Sequence, residues 1–383
     1  MIENTKVVVV GGGYAGVMAA NRLTRQAEVT VTLINARPTF VERIRLHQLV
    51  GGSDDAVVAY PKVLADRVRL MVDTVTRIDA AGRSVELADG GTVGYDYLIY
   101  AVGSVSADPD VPGAAEFGYP IAGFEQAQRL RSVLDATPAT VPVTVVGGGT
   151  TGIETATELA EGGRAVTLVS GDVLGPYLHP RGRRSVIARL AKLGVTVLDT
   201  TVTEVTRDAV RLARGRELPS GVTVWTTGFR APDLATRSGL RTDAVGRLVT
   251  DETLTSVDDP HIVAAGDSAA PADGPFRMSC QAASQLGPQA AETVLSRIAG
   301  ERPAPVAVGF AGQCISLGRG GGIFQFARRD DTAIGLYLGG RPGALLKELV
   351  CVYTVKRLTK PAGRSGSSAK ASTVVEAVEG AAL

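Results

Sequence analysis

Histidine, cysteine and tryptophan are scarce in this chain, and each shortage removes a class of chemistry. Three histidines among 383 residues leave little material for a His-based metal centre, and no zinc-type ligand spacing occurs, so no metal is expected. The three cysteines, Cys280, Cys314 and Cys351, lie far apart without a Cys-x-x-Cys pair. That argues against a disulfide framework or a dithiol redox centre. Net charge is lacking too: 40 basic residues face 39 acidic ones, so no global field would draw nucleic acid. No run of ~18 apolar residues exists, and no transmembrane helix is expected. The N-terminus carries Glu3 where a secretory leader needs basic residues, and its apolar run reads as a strand. A cytoplasmic protein is expected.

Glycine is what the chain has in quantity, and its placement repeats. Val7-Val8-Val9-Val10-Gly11-Gly12-Gly13-Tyr14-Ala15-Gly16 and Val143-Thr144-Val145-Val146-Gly147-Gly148-Gly149-Thr150-Thr151-Gly152 are two copies of one pattern. In each, an apolar strand runs into Gly-x-Gly-x-x-Gly and an alanine-rich helix follows. The first glycine permits a tight strand-to-helix turn. The second lets backbone approach a pyrophosphate, and the third lets helix and strand pack closely. The helix N-terminus then offers free N–H groups and a positive dipole end to phosphate. Two copies predict two dinucleotide sites, the arrangement needed to pass a hydride from one bound nucleotide to another.

The rest of the chain supports two α/β units of this kind. Helices are predicted over 15–26 and 151–161, with second strands over 29–34 and 165–169. Between the loops, residues 68–78 alternate as one strand, 84–93 read as a hairpin, and 95–104 as an apolar strand ending in a small-residue turn. The Pro/Gly/Asp-rich stretch 108–113 marks a boundary. In the second unit, 183–193 reads as an amphipathic helix, 195–198 as a strand, 202–218 as a strand pair, and 222–225 as a buried strand. Residues 281–299 and 343–358 look helical, 306–338 glycine-rich and β-like, and 361–383 a disordered Ser/Ala/Gly tail.

In this order the pieces resemble the pyridine nucleotide-disulfide oxidoreductase superfamily, nearest its type II NADH dehydrogenase and apoptosis-inducing-factor-like branch. The resemblance spans residues 5–358. It rests on the glycine loops, the 95–104 strand, Thr226-Thr227-Gly228-Phe229, and Ala265-Gly266-Asp267. It implies an α/β fold with two Rossmann-like dinucleotide-binding domains, for FAD and for NAD(P), and a small C-terminal α+β domain. The implied boundaries are 1–115 and 250–304 for FAD, 116–249 for NAD(P), and 305–360 for the C-terminal part.

The resemblance also assigns residues. FAD would sit on Gly11, Gly13, Tyr14, Ala15 and Gly16, with Gly103 and Asp267 beside it. NADH or NADPH would sit on Gly147, Gly149, Thr151 and Gly152, with Gly228 near. Glu154 matches a glutamate placed near the nicotinamide; a first-turn helix acid is the plainer alternative. Asn35 stands where an acid commonly holds the adenine ribose of the first nucleotide, and it can still donate to and accept from the ribose hydroxyls of FAD. Ser170 has the corresponding position in the second site, so the choice between NADH and NADPH stays open, with Arg164, Arg183 and Arg184 as candidate phosphate partners. Residues 40–49 resemble the stretch beside the isoalloxazine ring, which makes Arg43, Arg45 and His47 candidates, Arg45 for cofactor binding. Gln281 and Gln285 resemble a quinone-site motif, although Leu286 replaces the second Gln of its pair. Gln281 and Glu154 are the residues assigned to catalysis.

The implied activity is hydride transfer from NAD(P)H to FAD, followed by electron transfer to a quinone or another small acceptor. The resemblance leaves open a reductase of an electron-carrier protein, and a redox-gated interaction protein. From Arg341 to Lys370 seven residues are basic and only Glu348 is acidic. That basic, partly apolar end suits an anionic membrane surface, the chain's own domain or a homodimer partner.

Overall fold

Strands buried on both faces of a parallel sheet read as unbroken apolar runs, and two such runs form the hearts of two sheets. The computed structural model describes residues 4–359. In the first sheet the strand order is Ile262–Ala264, Tyr97–Tyr100, Thr5–Val10, Val29–Asn35 and Val68–Val72, all parallel. Val7 to Val10, flanked on both sides, are buried. The second sheet repeats the plan with Gly118–Pro120, Val222–Trp225, Val143–Val146, Val166–Val169 and Thr196–Leu198. The expected fold class stands: α/β, with two Rossmann-like sheets and a small C-terminal α+β part.

The first sheet takes its last strand from far along the chain. Ile262–Ala264 pairs with Tyr97–Tyr100, and the helix Cys280–Ile298 then packs on the loop helix Tyr14–Leu23. Leu234, Ala235, Leu240 and Leu248 also join this first core. A short antiparallel pair, Val105–Ser106 with Phe229–Arg230, ties the outgoing and returning crossings together. The C-terminal part is an antiparallel sheet of Gly312–Ser316, Gly322–Ala327 and Ala333–Gly339, covered by the helix Gly340–Thr359.

Three local expectations change. Residues 68–78 are two strands: Val68–Val72 is the edge of the first sheet, and Val75–Asp79 turns away to pair with Ser84–Leu87. The break falls at Asp73, whose N–H bonds the Asn35 carbonyl while its carboxylate accepts from the Thr74 N–H. Residues 202–218 form three strands, because Glu217–Pro219 adds to the expected pair. The last helix begins at Gly340, three residues before the predicted start. The expected tail, 361–383, lies outside the described residues.

Helix Cys280–Ile298 approaches helix Tyr14–Leu23 so closely that a Cβ on Gly287 would overlap the Ala15 carbonyl oxygen. Backbone cannot swing aside as a flexible side chain can. Gly287→Val should therefore lower unfolding stability by about 1–3 kcal/mol in urea titrations. A change within error would show that the two helices are not locked together there.

Candidate functional site

Each glycine loop is closed where the protein packs on itself and open where a ligand would come. Gly11 and Gly147 hold φ of +104° and +124°, which L side chains rarely adopt. A Cβ on Gly16 would overlap the Gly11 carbonyl oxygen, and one on Gly152 the Gly147 carbonyl oxygen. The middle glycines differ. Gly13 and Gly149 have ordinary extended backbone, and a Cβ on either meets nothing within 4 Å. Nothing inside the protein demands glycine there, whereas an approaching pyrophosphate does. Both residues N-cap their helices without any side-chain cap, so the first-turn N–H groups stay free for an anion. Both loops therefore fit a dinucleotide.

Around the first loop, the sequence candidates gather unequally. Asn35 is bound into the loop itself: its Oδ1 accepts from the Gly12 N–H at 2.9 Å, and its Nδ2 donates to the Arg37 carbonyl at 2.9 Å. The Tyr60 hydroxyl donates to the Gly12 carbonyl at 2.9 Å. Tyr14 is buried edge-on against Phe40, with ring centroids 5.1 Å apart. Asp267 follows its strand in a short 3-10 turn and accepts from the Ser104 hydroxyl at 2.8 Å. Arg43, beside Gly103, donates to Ser104 Oγ at 3.1 Å and lies 3.9 Å from Asp267.

Arg45, the expected cofactor ligand of this stretch, has its guanidinium committed elsewhere. It pairs with Glu42 at 3.2 Å and Glu348 at 2.5 Å, and it donates to Gln48 at 2.8 Å. The intervening backbone separates the two arginines, and Arg43 is the one that reaches Asp267.

The same stretch reaches the second loop helix through His47. Glu154, one turn into Thr150–Glu161, is buried and its Oε2 lies 3.5 Å from His47 Nδ1. Its Oε1 lies 2.9 Å from Lys347 Nζ and accepts from the Ser316 N–H at 2.9 Å. Burial alone would raise the Glu154 carboxyl, but the Lys347 ammonium, with His47 and the Ser316 N–H, outweighs it and holds Glu154 below the usual carboxylate range. Burial also opposes the charge on Lys347, and the Glu154 carboxylate overrides it, so the ammonium is kept charged. His47 goes the other way. Burial, with Lys347, Arg319 and Arg45 nearby, lowers it to about 4 against the pull of Glu154. The neutral ring fits its partners: Nδ1–H faces Glu154, and Nε2 accepts from Arg319 at 3.4 Å.

Sequence reading missed Lys347, Ser316 and Arg319. The one available signal was a lysine directly after two leucines of the last helix, Leu345-Leu346-Lys347, at a position that proves buried. A charge placed there needs a partner.

The glutamines of the expected quinone-site stretch bond backbone that runs beside their own helix. Gln285 and Gln289 each donate to and accept from the backbone of a single residue, Gly309 and Ala307. The Gln281 amide satisfies both its groups when it donates to the Gly312 carbonyl at 2.9 Å and accepts from the Ala311 N–H at 3.2 Å. Three glutamines four residues apart thus pin an extended segment along helix Cys280–Ile298. Burial pushes Cys280 up to about 11 and Cys314 to about 12, and all three thiols are free. They are protonated and weak nucleophiles at neutral pH.

At the far end of the second loop, Ser170 is buried and its hydroxyl donates to Asp199 at 2.8 Å. Thr151 lies in the first helical turn, its carbonyl accepting from Thr155 Oγ1. Gly228 has φ of +75° and its carbonyl accepts from the Ala107 N–H. The last helix turns Leu346, Lys347 and Cys351 inward while Leu345, Leu349, Val352 and Tyr353 are exposed, and the half-exposed Glu348 reaches Arg45. Among the described residues no helix is long and apolar enough to cross a membrane, and no cluster of His, Cys, Asp and Glu suits a metal ion.

Comparison with known proteins agrees with this geometry. Residues 5–292 match the family model described as pyridine nucleotide-disulphide oxidoreductase. The chain is similar to NADH dehydrogenase-like protein Rv1812c of Mycobacterium tuberculosis, 31% identical over 353 residues, covering 84% of this chain and 87% of that one. It is also similar to the type II NADH:quinone oxidoreductase Ndh of the same organism, 28% identical over 346 residues, covering 78% and 74%. In fold it resembles the crystal structure of the sulfide:quinone oxidoreductase of Aquifex aeolicus, with a TM-score of 0.80 at 20% identity over 94% and 93% of the chains.

The buried charges make two predictions. Lys347→Met strands the Glu154 carboxylate and should cost about 3–5 kcal/mol of stability, while adding Glu154→Gln should restore more than half of the loss. Equal losses in single and double variants would show that the pair is not coupled. An unfolded His47 takes up a proton near pH 6.5, and the buried ring resists it until about pH 4. Stability should then fall as the pH drops through that window, by on the order of 3 kcal/mol, and be unaffected by His47 above it. Urea titrations of His47→Gln should show a shallower acid slope than the parent; identical slopes would mean that His47 is not held neutral.

Proposed function

The chain belongs to the pyridine nucleotide-disulphide oxidoreductase family, and on that premise we propose that it is an FAD-dependent NADH dehydrogenase whose electron acceptor is a quinone. The observation that carries this reading is a single stretch of chain joining two uncapped dinucleotide loops. Arg43 reaches Asp267 beside the first loop, and His47, four residues on, reaches Glu154 beneath the second. The names of the relatives, NADH dehydrogenase-like and NADH:quinone oxidoreductase, support the donor and the acceptor.

In this reading Gly11, Gly13 and Gly16 with the N–H groups of Tyr14 and Ala15 would hold the FAD pyrophosphate, and Asp267, positioned by Ser104 and Arg43 beside Gly103, would hold its ribityl side. Gly147, Gly149 and Gly152 with Thr151 hold the pyrophosphate of NADH, with Gly228 and Ser170 at the edges of that site. A flavin held there would supply the hydride acceptance and the two-electron return to an acceptor that side chains cannot. The balance is one NADH and one proton consumed per quinone, giving NAD⁺ and hydroquinone. Glu154 keeps Lys347 protonated at Nζ in a water-poor interior, and His47 stays neutral beside Glu154. The chain's part is otherwise to position and to exclude water.

We read the FAD unit as 1–115 with 250–304, the NADH unit as 116–249 and the C-terminal unit as 305–360. Residues 234–248 belong to the second stretch by sequence and to the first core by packing. The exposed Leu345, Leu349, Val352 and Tyr353, followed by Lys356 and Arg357, support a peripheral contact of the last helix with the cytoplasmic face of a bilayer, where quinones dissolve. The same face would serve a homodimer in its place.

The two open glycines allow a clean test, since a side chain there meets ligand rather than protein. Gly13→Val should yield a folded, colourless protein with unchanged circular dichroism. Gly149→Val should keep its flavin and lose about 100-fold or more in kcat/KM for NADH with a short-chain quinone. A yellow Gly13→Val, or a Gly149→Val as active as the parent, would overturn the assignment.

A further inference from the structure

The second loop lacks an acid at the end of its second strand, yet the structure supplies one from the neighbouring strand. Val169 pairs with Leu198 across the parallel ladder, so Ser170 and Asp199 follow side by side at the carboxyl edge of the sheet. The Ser170 N–H bonds the Leu198 carbonyl at 2.9 Å, which fixes the serine backbone. Its hydroxyl donates to Asp199 Oδ1 at 2.8 Å. The serine is buried, Asp199 is exposed, and a Cβ on Gly148 of the nucleotide loop would press on Ser170. Ser170, with Asp199 hydrogen-bonded beside it, therefore stands directly against the loop.

Two of the arginines named above as candidate phosphate partners are engaged. Arg164 donates to the carbonyls of Leu134 and Thr137, and Arg183 to those of Gly175 and Leu178.

We propose that Asp199, acting through and beside Ser170, selects NADH over NADPH. This rests on the reading of the Gly147–Gly152 loop as the nicotinamide nucleotide site. With its only hydrogen committed to Asp199, the Ser170 oxygen presents lone pairs, which accept from a 2′-hydroxyl of the adenosine ribose. A 2′-phosphate has no such hydrogen to give, and it brings negative charge beside the Asp199 carboxylate. The selectivity that an acid on the second strand usually supplies is thus relocated by one strand.

Calorimetric titration of the FAD-loaded protein with NAD⁺ and NADP⁺, alongside stopped-flow reduction by NADH and NADPH, tests this. The parent should prefer the unphosphorylated nucleotides, and Asp199→Asn should narrow that preference by about tenfold in affinity with NAD⁺ binding little changed. Raising the salt concentration should narrow the parent's preference and leave that of Asp199→Asn flat, because the discrimination is between charges. A preference untouched by both the substitution and salt would overturn the proposal while the nucleotide site itself stands. Failure of either nucleotide to bind the parent or reduce its flavin would overturn the site reading, and the proposal with it.

Discussion

Backbone packed directly on backbone, at the first turn of each loop helix, is the constraint from which the site follows. Gly16 lies against the Gly11 carbonyl and Gly152 against the Gly147 carbonyl, so each helix begins pressed onto the strand that feeds it. That closeness aims the uncapped N–H groups at one point beyond the strand. It leaves Gly13 and Gly149 facing open space. Gly287 extends the same contact on the first unit, bringing helix Cys280–Ile298, and Asp267 before it, up to the loop from the far end of the chain. Close approach, more than any single hydrogen bond, decides where a pyrophosphate can lie.

The second organising element is charge taken out of water. Glu154, Lys347 and His47 come from three parts of the chain and are all buried. Glu154 and Lys347 are kept ionised by each other, and His47 is kept neutral by its burial first and then by Lys347, Arg319 and Arg45 nearby. This knot fastens the C-terminal helix to the second loop helix, while Arg45 and Glu348 fasten it to the bridging stretch. The inner face of the last helix thus carries the Lys347 charge among the buried Leu346, Cys351 and Leu358, while Leu345, Leu349, Val352 and Tyr353 are exposed on its outer one.

Both glycine loops, the buried strands and the Asp267 turn were legible because their signals are local: a fixed spacing, an unbroken apolar run, a small-residue turn. What escaped depends on distance along the chain. Arg43 and Arg45 are equivalent in the sequence, and only the turn between Glu42 and Leu46 decides which one meets Asp267. Lys347 has no meaning until Glu154 is beside it. The strand break at Asp73 was hidden because alternation continues on both sides of it, and only the Asn35 carbonyl selects the bend. Gln281 and Gln285 carried a motif but not their partners; Gln289, one turn on, completes a row whose role appears only when residues 307–312 lie along it.

Two dinucleotide loops joined by one short stretch make sense if a hydride crosses between them, and that is the central claim. The most direct measurement is an anaerobic titration of the FAD-loaded protein with NADH, following the flavin absorbance. One equivalent of NADH per flavin should bleach the yellow colour and release NAD⁺, and added quinone should restore it. A flavin that stays oxidised under excess NADH would contradict the account.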